Sequence, residues 1–534
     1  MYQNRYELTL DKLLVSSVRN NPKQIISYKG EKQITYVEFK ERVEAMAKGL
    51  ISMGLKKGER VAVLDVDSLN YLIAYFAVPI SGGVLHTVNI RYSPELLYYT
   101  MQHADDRFVI IRDEFVPIVE KSLPLFDFVS KWIVCSDSEQ ASTIIPGSIA
   151  LDSIINNHSD IILPELNEDD IATTFYTSGT TGMPKGVLFS HRQIVLHSIA
   201  SLSALAFEPV KWQPSDVIMP LVPMFHVHAW CSPFLALMAG TKYVLPGRYD
   251  FARIPEIMEK ENVSMSLMVP SILYMLLANS ESIKILEKLK LRVVVGGGAL
   301  STGLATRAEK AGIQVVAGYG MSETAPILTL GTYNKDTMGM KSEEQFEHRL
   351  MTGIPIALVD LKVVDSNFKE VPWDSKTIGE IVVRTPWLTK EYVNDPEATK
   401  KLWKNDWLNT GDLAVVDSSG YLSIVDREKD AVKSGGEFIP TIVIEDALSS
   451  FPGVGEVAVV GKKDDKWGER PVAFLSGLSE VDPEKMRNHL TKFVESGRIA
   501  KFWIPDDYIV VKEFLKTSTG KIDKKPLRKQ LLSQ

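Results

Sequence analysis

Short branched and aromatic runs recur along the chain at Val61-Ala-Val-Leu64, Phe108-Val-Ile-Ile111, Trp132-Ile-Val134, Tyr243-Val-Leu245 and Arg292-Val-Val-Val295. Runs of this length and β-branched content predict strands. Helix-like segments such as Tyr36–Met53 lie between them, and the alternation predicts an α/β body with mostly parallel sheets. From about Leu361 the texture changes to short strands with turn signals: Leu361-Lys-Val-Val364, Gly379-Glu-Ile-Val-Val383, Leu413-Ala-Val-Val416 and, after Asp417-Ser-Ser-Gly420, Tyr421-Leu-Ser-Ile-Val425. This predicts a β-rich subdomain at about 350–428. The charged cluster Asp426-Arg427-Glu428-Lys429-Asp430 follows at once and is the natural boundary before a last, small α/β unit. The expected organisation is a large αβ-layered body, 1–428, and a mobile C-terminal domain, 429–534, with a hinge near Lys429.

The longest apolar run, Tyr71–Ile80, contains Pro79 and is followed by Ser81-Gly82-Gly83. It is well short of the roughly 20 residues a spanning helix needs. It is expected to be buried core, and no integral membrane segment is predicted. No internal repeat or low-complexity tract appears.

Composition narrows the classes further. The 534 residues are 45% hydrophobic and 24% charged, a globular balance able to bury a large core. Sixty Lys plus Arg against 67 Asp plus Glu give a net charge of -7, which argues against whole-surface attraction to nucleic acid or anionic membrane. Cys135 and Cys231 are the two cysteines and form no CxxC. A disulfide framework and a Cys-rich zinc site are therefore disfavoured, both thiols are expected in the core, and a reducing, cytoplasmic setting fits. The N-terminal residues carry no basic stretch leading into an apolar one, so no secretory signal is read there.

The densest chemistry lies in Tyr176-Thr-Ser-Gly-Thr-Thr-Gly-Met-Pro-Lys-Gly186, between strand-like Ile171–Phe175 and Val187–Phe189. Gly179, Gly182 and Gly186 permit positive φ and close backbone approach. The hydroxyls of Thr177, Ser178, Thr180 and Thr181, with successive N–H groups, can surround phosphate oxygens, and Lys185 adds a cation. The loop reads as a phosphate cradle. It is not a Walker A loop, because no Gly-Lys-Ser/Thr closes it and a strand follows. A mobile Gly/Thr hairpin is the bland alternative.

Four further signatures recur in order: Gly318-Tyr-Gly-Met-Ser-Glu-Thr324, Thr410-Gly-Asp412, Asp426-Arg-Glu-Lys-Asp430 and Lys516-Thr-Ser-Thr-Gly-Lys521. With these, and with weaker similarity around Thr35-Tyr36 and Asn89-Ile-Arg91, nearly the whole chain resembles the adenylate-forming superfamily: acyl-CoA synthetases, peptide-synthetase adenylation domains and firefly luciferase. The resemblance implies ATP, Mg²⁺ and CoA as the small molecules bound, and a possible homodimer. It implies that Thr177 and Glu323 face the metal and that Ser322, standing where many relatives have Thr, reaches a phosphate. Tyr319 would stack on adenine in a pocket lined by Gly297, Gly298, Ala317 and Gly318. Asp412 would accept the ribose hydroxyls, Arg427 would contact the nucleotide, and Lys429 would be the pivot. Lys521 matches the adenylation lysine, a flexible cation able to reach a carboxylate and an α-phosphate together. Each of these residues taken alone has a plainer reading: a surface acid, a core aromatic, a turn cap or a solvated charge.

Substrate class should show in Met224-Phe-His-Val-His-Ala-Trp230. As a pattern, His226 and His228 would share one face of a strand, but no acidic partner completes a metal site. Amino-acid-activating relatives carry Asp directly after the corresponding Phe. This chain has His226, so an unsubstituted carboxylic acid is favoured over an amino acid. By the same resemblance Trp230 gates an acyl tunnel beside Val227, with Val222-Pro-Met-Phe225 as apolar walls; a buried core Trp is the plainer reading. Lys433-Ser-Gly-Gly-Glu437 resembles the glycine signature of fatty acyl-CoA synthetases. This places Lys433 with Lys521 and Glu323 among the catalytic candidates, gives Gly435 and Gly436 to the pantetheine passage, and puts Phe438 where some relatives have Trp. The reading is a medium- or long-chain fatty acid:CoA ligase. A short or hydroxylated acid is the nearest alternative. A luciferase-like oxygenase and a non-catalytic nucleotide-binding protein are other classes, the last disfavoured because Glu323, Asp412 and Lys521 are all present.

Overall fold

The structure, a computed structural model, describes residues 6–138, 145–155, 160–177, 183–435, 437–517 and 520–532. The branched runs at 60–64, 106–112 and 131–135 become adjacent parallel strands of a seven-stranded sheet in the order Ile149–Ala150, Lys131–Cys135, Asp106–Arg112, Arg60–Leu64, Val84–Thr87, Ile171–Thr177, Lys185–Ser190. Every pair in it is parallel except the last, in which Thr177 faces Lys185 across an antiparallel hairpin. Residues 178–182, expected to form the phosphate cradle, lie outside the described residues.

A second, nine-stranded sheet holds Lys242–Leu245 and Arg292–Val295. Its central pairs are parallel, and both ends close with antiparallel strands. One continuous hydrophobic cluster runs through the two large sheets and the helices between them. The run expected to be core forms the helix Leu69–Ile80, started by the Ser68 side chain accepting from the Tyr71 N–H, and all of it except Asn70 is buried. A helix apolar on every side is stable only when enclosed, and Pro79 stands one residue from its end. No helix among the described residues is long and apolar enough to cross a membrane.

The β-rich texture after 360 forms a five-stranded antiparallel sheet of Asp360–Val364, Gly379–Arg384, Trp407–Val416, Trp403–Lys404 and Leu422–Arg427. Its last strand carries the start of the charged cluster, and Asp426 is not a solvated charge: it is buried and accepts from the Thr441 N–H at 2.7 Å. Burial pushes its carboxyl up to about 6. From Val432 the chain builds a fourth sheet of Glu437–Ile439, Val432–Ser434, Gly468–Leu475, Val457–Asp464 and Asp507–Val510. Separate apolar clusters cover its two faces, one with helices Thr441–Ser449 and Pro483–Glu495, the other with Lys524–Leu532.

Candidate active site

A cavity of about 2730 Å³ opens where the hairpin of Ile171–Thr177 and Lys185–Ser190, the end of strand Gln314–Gly320, the antiparallel sheet and the C-terminal unit converge. Thr177, Lys185, Gly297, Gly298, Ala317, Gly318, Tyr319, Ser322, Glu323, Asp412, Arg427, Lys429 and Lys521 all line it. These residues are spread over more than 300 positions of sequence; the ends of sheet strands bring them together, the usual place for a ligand crevice in α/β folds.

Asp412 is the polar anchor. It is buried, and its two oxygens accept from the Tyr319 O–H at 2.7 Å and the Arg427 Nε–H at 3.1 Å. The pairing is built into the sheet, because Asp412 and Arg427 are direct cross-strand neighbours. A carboxylate has about four lone-pair sites, so acceptor capacity remains for vicinal hydroxyls. Burial and Asp412 hold the Tyr319 phenol far above its ordinary range, so it stays a donor.

Lys521 enters from the C-terminal unit on a turn closed by Thr517 N–H donating to the Lys521 carbonyl at 2.7 Å. The turn needs Gly520 at φ +86, and a Cβ there would stand 3.1 Å from Ser271 Oγ and 3.3 Å from Val269 Cγ2. The side chain reaches Gly297, where an added Cβ would lie 3.8 Å from Lys521 Cε. Although the ammonium still opens onto the cavity, the surrounding protein and the positive Arg427 bring it down to about 8. Burial and the charges of Lys521 and Arg91 lower His226 to about 3, so its imidazole is neutral at physiological pH.

Glu323 sits on the one-turn helix Ser322–Thr324 and is buried. The Tyr392 O–H donates to its Oε1 at 2.6 Å, and no other group bonds the carboxylate among the described residues. No cluster of three His, Cys, Asp or Glu able to cage a metal is present among them. The donor set fits Mg²⁺ nonetheless, since that ion is held by one or two carboxylates together with substrate phosphates, and Glu323 offers a hard oxygen in a cavity that Thr177, Lys185 and Ser322 also line.

The Met224–Trp230 segment departs from the expectation of a strand. Val227, His228, Ala229, Trp230 and Cys231 all have φ between +46 and +59, a left-handed turn that turns His228 away from His226. His228 Nε2 pairs with Thr173 Oγ1 at 2.6 Å in an aromatic enclosure, and burial lowers its pKa to about 3. The two histidines do not form a ligand pair. Trp230 is buried, and a Cβ on Gly296 would meet its indole at 3.1 Å. His226, Val227 and Trp230 line the cavity. Val222, Met224 and Phe225 lie in the core instead and are not part of the lining.

The glycine hairpin is on another face. Lys433, Gly435 and Phe438 are not among the lining residues; the Lys433 ammonium lies 5.2 Å over the Phe438 ring, and Gly435 N–H donates to the Trp467 carbonyl at 2.7 Å. Gly436 lies outside the described residues. Both cysteines are buried and free.

The chain matches two family descriptions, AMP-binding enzyme over residues 14–393 and AMP-binding enzyme C-terminal domain over residues 443–521, and it belongs to this family of AMP-binding, adenylate-forming enzymes. Among named relatives, it is 38% identical over 500 residues to a long-chain-fatty-acid–CoA ligase of Thermus thermophilus, covering 93% of this chain and 90% of the relative. It is 33% identical over 537 residues to a medium-chain-fatty-acid–CoA ligase of Ectopseudomonas oleovorans, covering 98% and 96%. It is also 34% identical over 513 residues to a 3-methylmercaptopropionyl-CoA ligase of Ruegeria lacuscaerulensis, covering 95% and 94%.

Proposed function

We infer that this AMP-forming acyl-CoA synthetase activates a medium- or long-chain fatty acid. The acid attacks the α-phosphate of MgATP to give acyl-AMP and pyrophosphate, and the CoA thiol then displaces AMP to give acyl-CoA. The observation that carries the reading is the convergence of Lys521 with the Tyr319–Asp412–Arg427 network in one cavity. Asp412 receives the ribose hydroxyls, Tyr319 and Gly297 flank the adenine, and Lys185 meets the outer phosphates. Lys521 lies between carboxylate and α-phosphate and offsets their mutual repulsion as the new bond forms. Mg²⁺, when bound through Glu323 and Thr177, supplies charge neutralisation for the phosphates.

A neutral His226 offers no counter-charge to an amino group, and Val227 and Trp230, which line the same cavity, add apolar surface that favours an alkyl chain. The two fatty-acid ligases among the relatives support the same class. If the chain is taken up by apolar surface at about 0.8 kcal/mol per CH₂, kcat/KM should rise about fourfold per added methylene until the tunnel is full. A series of acids from acetate to stearate, with 4-hydroxybutyrate and 3-methylmercaptopropionate included, tests this. Acid-dependent pyrophosphate release should be best with octanoate or longer acids, and Trp230→Ala should shift the optimum. Equal or better turnover of acetate, 4-hydroxybutyrate or 3-methylmercaptopropionate would overturn the assignment.

A further inference from the structure

Tyr392 belongs to none of the signatures that mark the chain, yet it touches two of the groups on which the proposed reaction depends. Its O–H donates to Glu323 Oε1 at 2.6 Å, and the Lys185 ammonium lies 4.9 Å over the centre of its ring. The backbone around it is stitched to both neighbours. Tyr392 forms an isolated antiparallel bridge with Val187, and Val393 N–H donates to the Gly186 carbonyl at 2.9 Å. Three residues earlier, Thr389 N–H donates to the Glu323 carbonyl at 2.9 Å, and its hydroxyl accepts from Leu188 N–H at 3.3 Å. Residues 389–393 thus strap strand Lys185–Ser190 to the turn that carries Glu323.

We propose that Tyr392 is a positioning residue that sets the Glu323 carboxylate for a phosphate-bound cation and supports the Lys185 ammonium beside the same phosphates. This rests on the adenylation reading above. The hydroxyl bond to Oε1 fixes the orientation of the carboxylate, and acceptor capacity remains for a cation. Partners of this kind orient a metal's carboxylate and raise its affinity. The ring face attracts the ammonium without neutralising it, which holds Lys185 on the cavity wall while leaving its charge for phosphate.

The test uses the full chain and calorimetric binding of ATP in Mg²⁺ and in EDTA, which needs no turnover, alongside acid-dependent pyrophosphate release. In Tyr392→Phe the ring remains and the hydroxyl is lost. The tightening of ATP binding by Mg²⁺ should shrink about 10- to 100-fold, while ATP affinity in EDTA stays within about twofold. Tyr392→Leu should also weaken ATP in EDTA, by about three- to tenfold, because Lys185 loses its platform. In a Glu323→Gln background, Tyr392→Phe should add almost nothing, since the carboxylate it orients is gone. Equal losses of ATP affinity with and without Mg²⁺ in Tyr392→Phe, additivity with Glu323→Gln, or a wild-type ATP affinity indifferent to Mg²⁺ would each overturn the proposal. A wild-type chain that binds MgATP in this pattern but releases no pyrophosphate with any acid would instead remove the adenylation reading and leave the role of Tyr392 standing.

Discussion

The Lys521 ammonium is set by its neighbours as much as by its own chemistry. The surrounding protein and the positive Arg427 bring it down to about 8, and a lysine is charged below its pKa and neutral above it. If the ammonium is what offsets the carboxylate–phosphate repulsion, kcat/KM for pyrophosphate release should fall as pH rises through about 8. His226 is already neutral from about 3 upward, so it contributes no limb in that region. A profile flat from neutral pH to well above 9, roughly a unit past the expected midpoint, would show that the charge on Lys521 is not used. Lys521, Asp412, Tyr319 and Glu323 stand out in the sequence because each sits in a short stretch that resembles a signature of the adenylate-forming superfamily, although each alone has a plainer reading. Tyr392 carries no such sign: its role arises from a strand bridge to Val187, a pairing between distant segments that no local pattern encodes.

At the scale of elements, the branched runs were legible because a buried parallel strand needs little besides β-branched side chains; Arg292–Val295 forms at the bounds expected. The turn at Val227–Cys231 was not. It contains no Gly or Asn, and left-handed backbone costs roughly 1–2 kcal/mol per residue, so local preference points away from it. Buried contacts fix it from outside: Asp67 accepts from Met224 N–H at 2.9 Å, Thr87 donates to the Phe225 carbonyl at 3.1 Å, and Thr173 holds His228. A second element-level feature is how the C-terminal unit docks. Asp446, on helix Thr441–Ser449, accepts from the N–H of Thr302 at 2.6 Å and from its hydroxyl at 3.1 Å. Thr302 opens helix Thr302–Lys310. Beside it, a Cβ on Gly303 would stand 2.3 Å from the Ser449 carbonyl oxygen. Gly303→Val should therefore disfavour this docking and lower pyrophosphate release by about tenfold or more, whereas Asp446→Ala, which gives up helix-terminal hydrogen bonds, should cost only about fivefold. Thioester formation from supplied acyl-AMP and CoA should survive both changes. Loss of both half-reactions in Gly303→Val, measured separately, would contradict the idea that this contact serves one orientation.

Over the whole molecule, the layered body, the antiparallel sheet and the separate C-terminal unit follow from periodicity and turn chemistry, while the arrangement of that unit on the body does not. It depends on surface contacts such as Gly303–Ser449 and Gly520–Ser271 whose partners lie far apart in sequence. In the orientation seen, Lys521 lines the cavity and Lys433, Gly435 and Phe438 do not. One small unit cannot present both faces to the same acyl carbonyl, so on the proposed function the two half-reactions use two orientations. The most direct measurement is of both half-reactions in Lys521→Ala. Acid-dependent pyrophosphate release should fall by about 10²- to 10³-fold, the usual cost of removing one group that stabilises developing charge, while supplied acyl-AMP and CoA still yield acyl-CoA at close to the wild-type rate. Equal loss of both steps, or pyrophosphate release undiminished, would contradict the account.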